Sequence, residues 1–261
     1  MKLEQFRLPD RFQTILRNKE SRFVHAPYSG AYTFHFRSKD RSCYLKILPT
    51  GHREPLVQYR DKLVWLKGRL PVPEALEYEA DSEYEYLLMS EITGRDATDE
   101  LFRRNAEHTV SLLAKGLRAI HSVDIAHCPF DYSVNNRLRL IESRLSEGLV
   151  DRGAVEERFG DTLERLHERL QSDMTGLQET PVFCHGDYSV PNIVIDNNEI
   201  SGFIDIADAG VSDPYRDFAA AHRSIIRNFG ERFIPLFYET YGIDPDMRRL
   251  RLYDLIEHFA C

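Results

Sequence analysis

The sequence predicts an α+β protein of two lobes, a small sheet-rich N-lobe and a larger helix-rich C-lobe. Three observations carry this expectation. Residues 1–89 read in the order strand, strand, helix, strand, strand, as a small sheet with one helix packed on it. Ile92-Thr93-Gly94-Arg95 then breaks the strand pattern, so residues 90–96 form a hinge. Beyond it, in residues 97–261, apolar residues recur mostly at helical spacing.

Taken in order, Pro9 to Asn18 sets Phe12, Ile15 and Leu16 on one helical face, with Asp10 near its start. From Phe23 to Leu48 the pattern turns strand-like. Tyr32 to Phe36 alternates, polar Arg37 to Ser42 turn, and Cys43 to Leu48 returns, which predicts a β-hairpin. Pro55 to Leu70 is a helix with Tyr59, Leu63, Leu66 and Leu70 as its apolar stripe, stopped by Pro71-Val72-Pro73. Leu76-Glu77-Tyr78 and Tyr84 to Ser90 are two further strands.

In the C-lobe, Ala106 to His121 carries Val110, Leu113, Leu117 and Ile120 on one helical face. Arg137 to Leu149 and Thr162 to Leu170 are further helices. Three apolar runs follow: Val182 to Cys184, Ile193 to Ile195, and Ile200 to Ile204, the last two joined by an Asn197-Asn198 turn. Helices are then expected at Phe218 to Arg227, at Phe233 to Tyr241 and from Pro245, where Asp244 caps and Leu252, Leu255, Ile256 and Phe259 form the buried face.

Hydrophobic content of 42% and charged content of 29% over 261 residues describe an ordinary globular chain, large enough for two cores. A net charge of −8 argues against nucleic acid and anionic membranes as partners and is compatible with a cationic ligand. Cys43, Cys128, Cys184 and Cys261 are widely spaced with no C-x-x-C pair, which points to reduced, structural thiols. MKLEQFRLPDRF has no apolar leader core and no run approaches membrane-spanning length, so a cytoplasmic protein is expected.

The chemistry concentrates between Pro181 and Asp217. His185, Asp187 and Asn192 follow one apolar run, and Asp205 ends the third. Two carboxylates and an amide on a tight hairpin suit Mg²⁺, which takes hard oxygen ligands and shares them with substrate phosphates. In that chemistry Asp187 orients and deprotonates an attacking hydroxyl, while Asn192 and Asp205 hold metal.

Nucleotide-binding candidates lie upstream. Lys46 stands inside the apolar strand Tyr-Leu-Lys-Ile-Leu, and Ser29-Gly30 opens the preceding strand, where a glycine lets backbone amides approach a phosphate. Tyr44 shares the Lys46 face and could stack on adenine or serve as core. Ser90 and Ile92 at the lobe junction could offer backbone groups to the base.

At these segments the chain resembles the aminoglycoside 3'-phosphotransferases, antibiotic kinases with a protein-kinase-like fold. The resemblance runs over nearly the full length, through YLKIL, WLKGRLPVP, LLMSEITG, LRAIHSVDIAHCPFD, GLVD, HGDYSVPN and SGFIDIADAGVSDPYRD. It implies ATP and Mg²⁺ as cofactors, an aminoglycoside as the cationic substrate, transfer to a hydroxyl such as the 3'-OH, and a role in antibiotic resistance. It also implies Asp187 as catalytic base and His185 as the brace of the catalytic loop, with Asn192 and Asp205 as metal ligands. Lys46 would meet the nucleotide phosphates, Tyr44 the adenine ring, and Ser90 and Ile92 the adenine edge. Asp217 ties down the catalytic loop in this picture; by itself it also reads as an exposed helix-start carboxylate. A monomer or weak dimer is expected.

The sequence departs from the family pattern in places. The family pairs its strand lysine with a glutamate on the next helix; alignment on Trp65-Leu66 puts Tyr59 there, and Glu54 or Asp61 would substitute if the helix were shifted. Asp208 stands where an arginine is usual, Asn228 where an aspartate is, and His258, after Glu257, where a carboxylate is. Acidic groups left for a polycation are Asp187, Asp208, Glu156, Glu157 and Glu257, each charge-assisted contact contributing ~1.5–3 kcal/mol. This redistribution predicts a changed or narrower acceptor range. A kinase of another small hydroxylated molecule is the alternative; a nucleotide-binding pseudokinase is the third, against which the intact Asp187, Asn192 and Asp205 argue.

Overall fold

Alternation along Tyr32–Arg37 (β2) and Cys43–Pro49 (β3) sends Tyr32, Phe34, Phe36, Cys43, Leu45 and Ile47 to one face of a sheet. In the computed structural model, which describes residues 2–24, 30–38, 41–52 and 54–260, that face is a core built with Phe6, Phe12, Leu16, Tyr86 and Leu88. Glu20–Val24 (β1), Ala75–Ala80 (β4) and Tyr84–Ser90 (β5) complete five antiparallel strands in the order β1-β2-β3-β5-β4. The helix Asp10–Leu16 (α1) buries Phe12 and Leu16 in this core. Tyr44 and Lys46 point to the opposite face, towards Leu56–Leu66 (α2), whose stripe buries Tyr59, Leu63 and Leu66. Pro55 provides no side-chain cap for α2, and the Glu85 carboxylate of β5 accepts from the Val57 N–H at 3.0 Å instead.

The chain divides into two compact units, residues 1–95 with 194–207 and residues 96–193 with 208–261. The contiguous lobes 1–89 and 97–261 expected from sequence differ from this division in one respect: the hairpin around Asn197-Asn198 belongs to the first unit. Ile193–Asp196 (β8) and Glu199–Phe203 (β9) form that hairpin, with the short strand Arg95–Asp96 (β6) on its other side. Asn197 and Asn198 both take positive φ, as a two-residue hairpin turn requires. Phe203 N–H donates to Pro71 O at 2.8 Å, so the chain leaving α2 anchors β9. At Gly202 an added Cβ would stand 2.7 Å from Pro71 O, so this approach needs glycine.

The second unit is organised on Ala106–His121 (α4), which buries Val110, Leu113, Leu117 and Ile120 as its periodicity predicts. Ahead of it lies the short helix Glu100–Arg103 (α3). Val134–Ser146 (α5), Arg152–Phe159 (α6), Leu163–Met174 (α7), Tyr215–Asn228 (α8), Ile234–Tyr241 (α9) and Met247–Ala260 (α10) follow. The pairs α4 with α9 and α8 with α10 pack closely, and α10 also meets α5 and α7. No helix among the described residues is long and apolar enough to cross a membrane.

Several boundaries move from their expected places. Val182–Cys184 (β7) pairs antiparallel with Gly210–Ser212 (β10), a strand the sequence reading passed over. The α5 helix starts at Val134 rather than Arg137, because Glu179, distant in sequence, accepts from the Val134 N–H at 3.0 Å. The cap of α10 is Asp246, not Asp244: its Oδ1 accepts from the Arg248 N–H at 2.8 Å and the Arg249 N–H at 3.2 Å.

Candidate active site

In the second unit, the loop after β7 is held from beneath by one carboxylate. Asp217, in the first turn of α8, is fully buried and accepts from the His185 N–H at 2.7 Å and the Gly186 N–H at 2.8 Å. Its expected loop-tying role therefore has the required geometry, and it is no exposed helix-start residue. His121, at the end of α4, adds a third contact to Asp217 at 3.2 Å and reaches the Tyr241 hydroxyl at 2.9 Å. Burial alone would push the Asp217 carboxyl up, yet the His121 hydrogen bond and charge, with His185 beside it, hold it below the ordinary carboxylate range. Cys184 lies close to His121 and Asp217, but its thiol donates to Asp213 O at 3.3 Å and burial pushes its pKa well up, so this trio is a hydrogen-bonded anchor.

The rest of the loop is fixed as closely. Gly186 has φ +90°, and an added Cβ would stand 2.3 Å from Asp208 O, so no side chain fits there. The Tyr188 hydroxyl donates to Leu113 O at 2.7 Å, and the Val190 N–H donates to Ser224 Oγ at 2.8 Å. His185 Nδ1 accepts from the Asp187 N–H at 3.3 Å. Asn192 Nδ2 donates to Asp187 O at 3.0 Å and to Asp187 Oδ2 at 2.9 Å. The amide thus turns its oxygen away from Asp187. Asp187 itself is exposed on this buried framework.

In the first unit, Lys46 Nζ lies 2.9 Å from Asp205 Oδ1 and 4.6 Å from the centroid of the Tyr59 ring. Burial by itself would lower the lysine pKa; Tyr59 and Asp205 more than offset it, and the ammonium is held charged. The expected tyrosine at the helix position is confirmed as the neighbour of Lys46, whereas neither substitute considered for the missing glutamate takes its place. Asp61 pairs with Arg60 at 2.6 Å, and Glu54 is exposed ahead of α2. Asp205 is a non-glycine residue at φ +58°, its carboxylate half exposed.

The other nucleotide candidates sit on the same unit. One face of the Tyr44 ring is covered by His35, its cross-strand partner, at 4.6 Å between centroids. Gly30 has φ +61°, an exposed left-handed position, while Ser29 lies outside the described residues. The Ser90 N–H donates to Glu74 O and its hydroxyl accepts from the Glu74 N–H, both at 2.9 Å, so its amide is engaged within the sheet. Ile92 is half-buried directly beyond β5.

The residues expected to hold substrate divide sharply. Glu257 is buried between Arg137 Nη2 at 2.7 Å and Arg216 Nε at 3.1 Å, which corrects its assignment as a free carboxylate. Burial would raise its pKa, but the two guanidinium groups hold it below the ordinary range. Asn228 donates to Ser224 O at 2.8 Å and accepts from Arg103 at 3.2 Å, closing the end of α8. Glu156 bridges Arg152 at 3.0 Å and the Leu163 N–H at 2.9 Å. His258 Nδ1 is 2.7 Å from Asp254 O, and its ring meets Phe159 edge-on. Glu157 is exposed, and the Asp208 carboxylate stays partly exposed with its nearest oxygen 3.9 Å from Arg216. The sequence reading missed His121, Tyr188, Ser224 and Arg216; the first, second and fourth lie inside segments that carry the resemblance, and nothing in the linear pattern singled out Ser224.

A family model described as the phosphotransferase enzyme family matches residues 24–253. This chain belongs to that family. Among curated members, an aminoglycoside 3'-phosphotransferase of Niallia circulans is 34% identical, with 96% of this chain and 97% of the relative covered. The crystal structure of an aminoglycoside-3'-phosphotransferase of type VIII is 27% identical at a TM-score of 0.84, covering 95% of this chain and 96% of that one. An aminoglycoside phosphotransferase of Streptomyces rimosus, solved with ADP and streptomycin, is 25% identical at a TM-score of 0.76, with 92% of each chain covered. The expected α+β, protein-kinase-like fold is therefore the fold of this phosphotransferase, and the transfer of phosphate to an alcohol is its reaction class.

Proposed function

We propose that this phosphotransferase is an ATP-dependent aminoglycoside kinase that transfers the γ-phosphate to a hydroxyl of the drug, the 3'-OH first among them. The observation that carries the proposal is the presentation of Asp187: an exposed carboxylate on a loop whose neighbouring amides are pinned by buried Asp217. Phosphoryl transfer asks mainly for positioning and electrostatics, and a rigidly held carboxylate aligns the hydroxyl and takes its proton. Asn192 and Asp205 fit Mg²⁺, since each offers a hard oxygen: the Asn192 amide nitrogen faces Asp187, and the Asp205 carboxylate is half exposed. The ion would neutralise charge on the phosphates, Lys46 would meet the same phosphates, and the base would lie against the Tyr44–His35 pair, near Gly30, Ser90 and Ile92.

Asp208 and Glu157 are the carboxylates this reading assigns to the ammonium groups of the substrate. An ADP-release assay with MgATP and a panel of aminoglycosides tests the proposal. Kanamycin and neomycin should stimulate turnover, and an aminoglycoside lacking the 3'-hydroxyl should not. ATP binding without stimulation by any drug would overturn the acceptor. A second reading, a kinase of another small hydroxylated molecule, is favoured by one observation: Glu257 and Glu156 are engaged by arginines, which leaves fewer carboxylates for a polycation. A screen of sugars and amino alcohols as phosphate acceptors separates the two.

A further inference from the structure

We infer that Tyr59 is a positioning residue for phosphoryl transfer, tying both Lys46 and the Asp205 backbone to α2 in place of an acidic partner. The inference rests on the reading of Lys46 and Asp205 as the phosphate and metal groups. Tyr59 is buried, and its ring lies under the Lys46 ammonium at 4.6 Å from the centroid. A desolvated ammonium over an aromatic face is held by the ring quadrupole, with no fixed direction. The ammonium can therefore pass from the Asp205 carboxylate to a phosphate oxygen without leaving the ring. A carboxylate at this place would instead compete with Asp205 for the same charge.

The hydroxyl does a second job. The backbone of Asp205 and Ile206 lies beside its oxygen. Asp205 stands at φ +58°, a conformation that disfavours non-glycine residues and so needs contacts that hold it. One turn further along α2, the buried Lys62 ammonium donates to Ala207 O. Residues three apart share a helix face, so Tyr59 and Lys62 both face the segment from Asp205 to Ala207. The same tyrosine thus couples the lysine and the candidate metal carboxylate to one helix.

The test uses the full-length protein with Tyr59→Phe, Tyr59→Leu and Tyr59→Glu. ATP affinity without Mg²⁺ is read by calorimetry, the half-saturating free Mg²⁺ by phosphorylation kinetics, and folding by thermal melts. Tyr59→Leu should weaken metal-free ATP binding by roughly tenfold, and Tyr59→Glu should recover most of that loss. Tyr59→Phe keeps the ring, so ATP affinity should stay within about twofold while half-saturating Mg²⁺ rises at least about threefold. Lowered melting temperatures with unchanged ATP and Mg²⁺ dependence would mean a purely structural role and overturn the inference. If Tyr59→Leu does not fold, the Mg²⁺ dependence of Tyr59→Phe decides. Lys46→Met separates the layers: unchanged ATP affinity in that variant would overturn the reading of Lys46 itself, whatever the Tyr59 variants do.

Discussion

As the proposed base, Asp187 would owe its reactivity to neighbours that are not themselves reactive. His185, Asn192 and Ser189 all touch it or its amide, so the exposed carboxylate sits in a fixed frame. Asp187→Asn keeps an acceptor oxygen for Asn192 but removes the proposed base. Its turnover number should fall by roughly 10²–10⁴-fold, the usual contribution of a positioned base, with an unchanged melting temperature. Steady-state kinetics beside a thermal melt checks both halves. The candidate set Asp187, Asn192 and Asp205 was legible because residue type and spacing announce it. His121 was harder, since a histidine closing an apolar helix has no local sign that its ring meets a carboxylate ninety-six positions away.

At the scale of elements, caps and ion pairs decide where helices begin and how they pack. Glu85 starts α2 and Glu179 starts α5, both from distant strands or loops, which is why propensity alone misplaced the α5 start. The α5, α8 and α10 helices converge on Glu257, gripped by Arg137 from α5 and Arg216 from α8. Glu257→Leu would strand two buried guanidinium groups and should cost about 3–5 kcal/mol in urea unfolding at pH 7. In a linear alignment this glutamate reads as one more substrate carboxylate. Its neighbours make it a keystone between helices, because a buried charge must be paired.

For the whole molecule, the same pairing sets a dependence on pH. Glu257 and Asp217 both have carboxyl pKa values lowered by folding. A depressed carboxyl contributes stability above its unfolded pKa of about 4 and loses it as pH falls through the folded value. Asp213 and Glu179 are shifted up by burial and act in the opposite sense, so the total curve mixes both signs. The difference between wild type and Glu257→Gln isolates one group: its cost should be constant above about pH 5 and shrink towards zero as pH drops below about 4. Urea melts from pH 3 to 8, on the order of one per pH unit, would show a pH-independent difference if Glu257 did not carry the charge.

The sequence by itself determined most of the strands and helices in their order, though not β10, and the residue types proposed for phosphoryl transfer. Period-two alternation in β2 and β3, the α4 stripe, the Asn-Asn turn and the H-x-D-x-x-x-x-N spacing are local facts that solvent and backbone geometry turn into structure. Only the tertiary structure decided which charges remain available. Whether Glu257 meets ligand or arginine, whether Asp217 is surface or anchor, and what Tyr59 does beside Lys46 depend on desolvation and on partners brought together from distant positions. Burial changes the energy of a charge by far more than its place in the chain does.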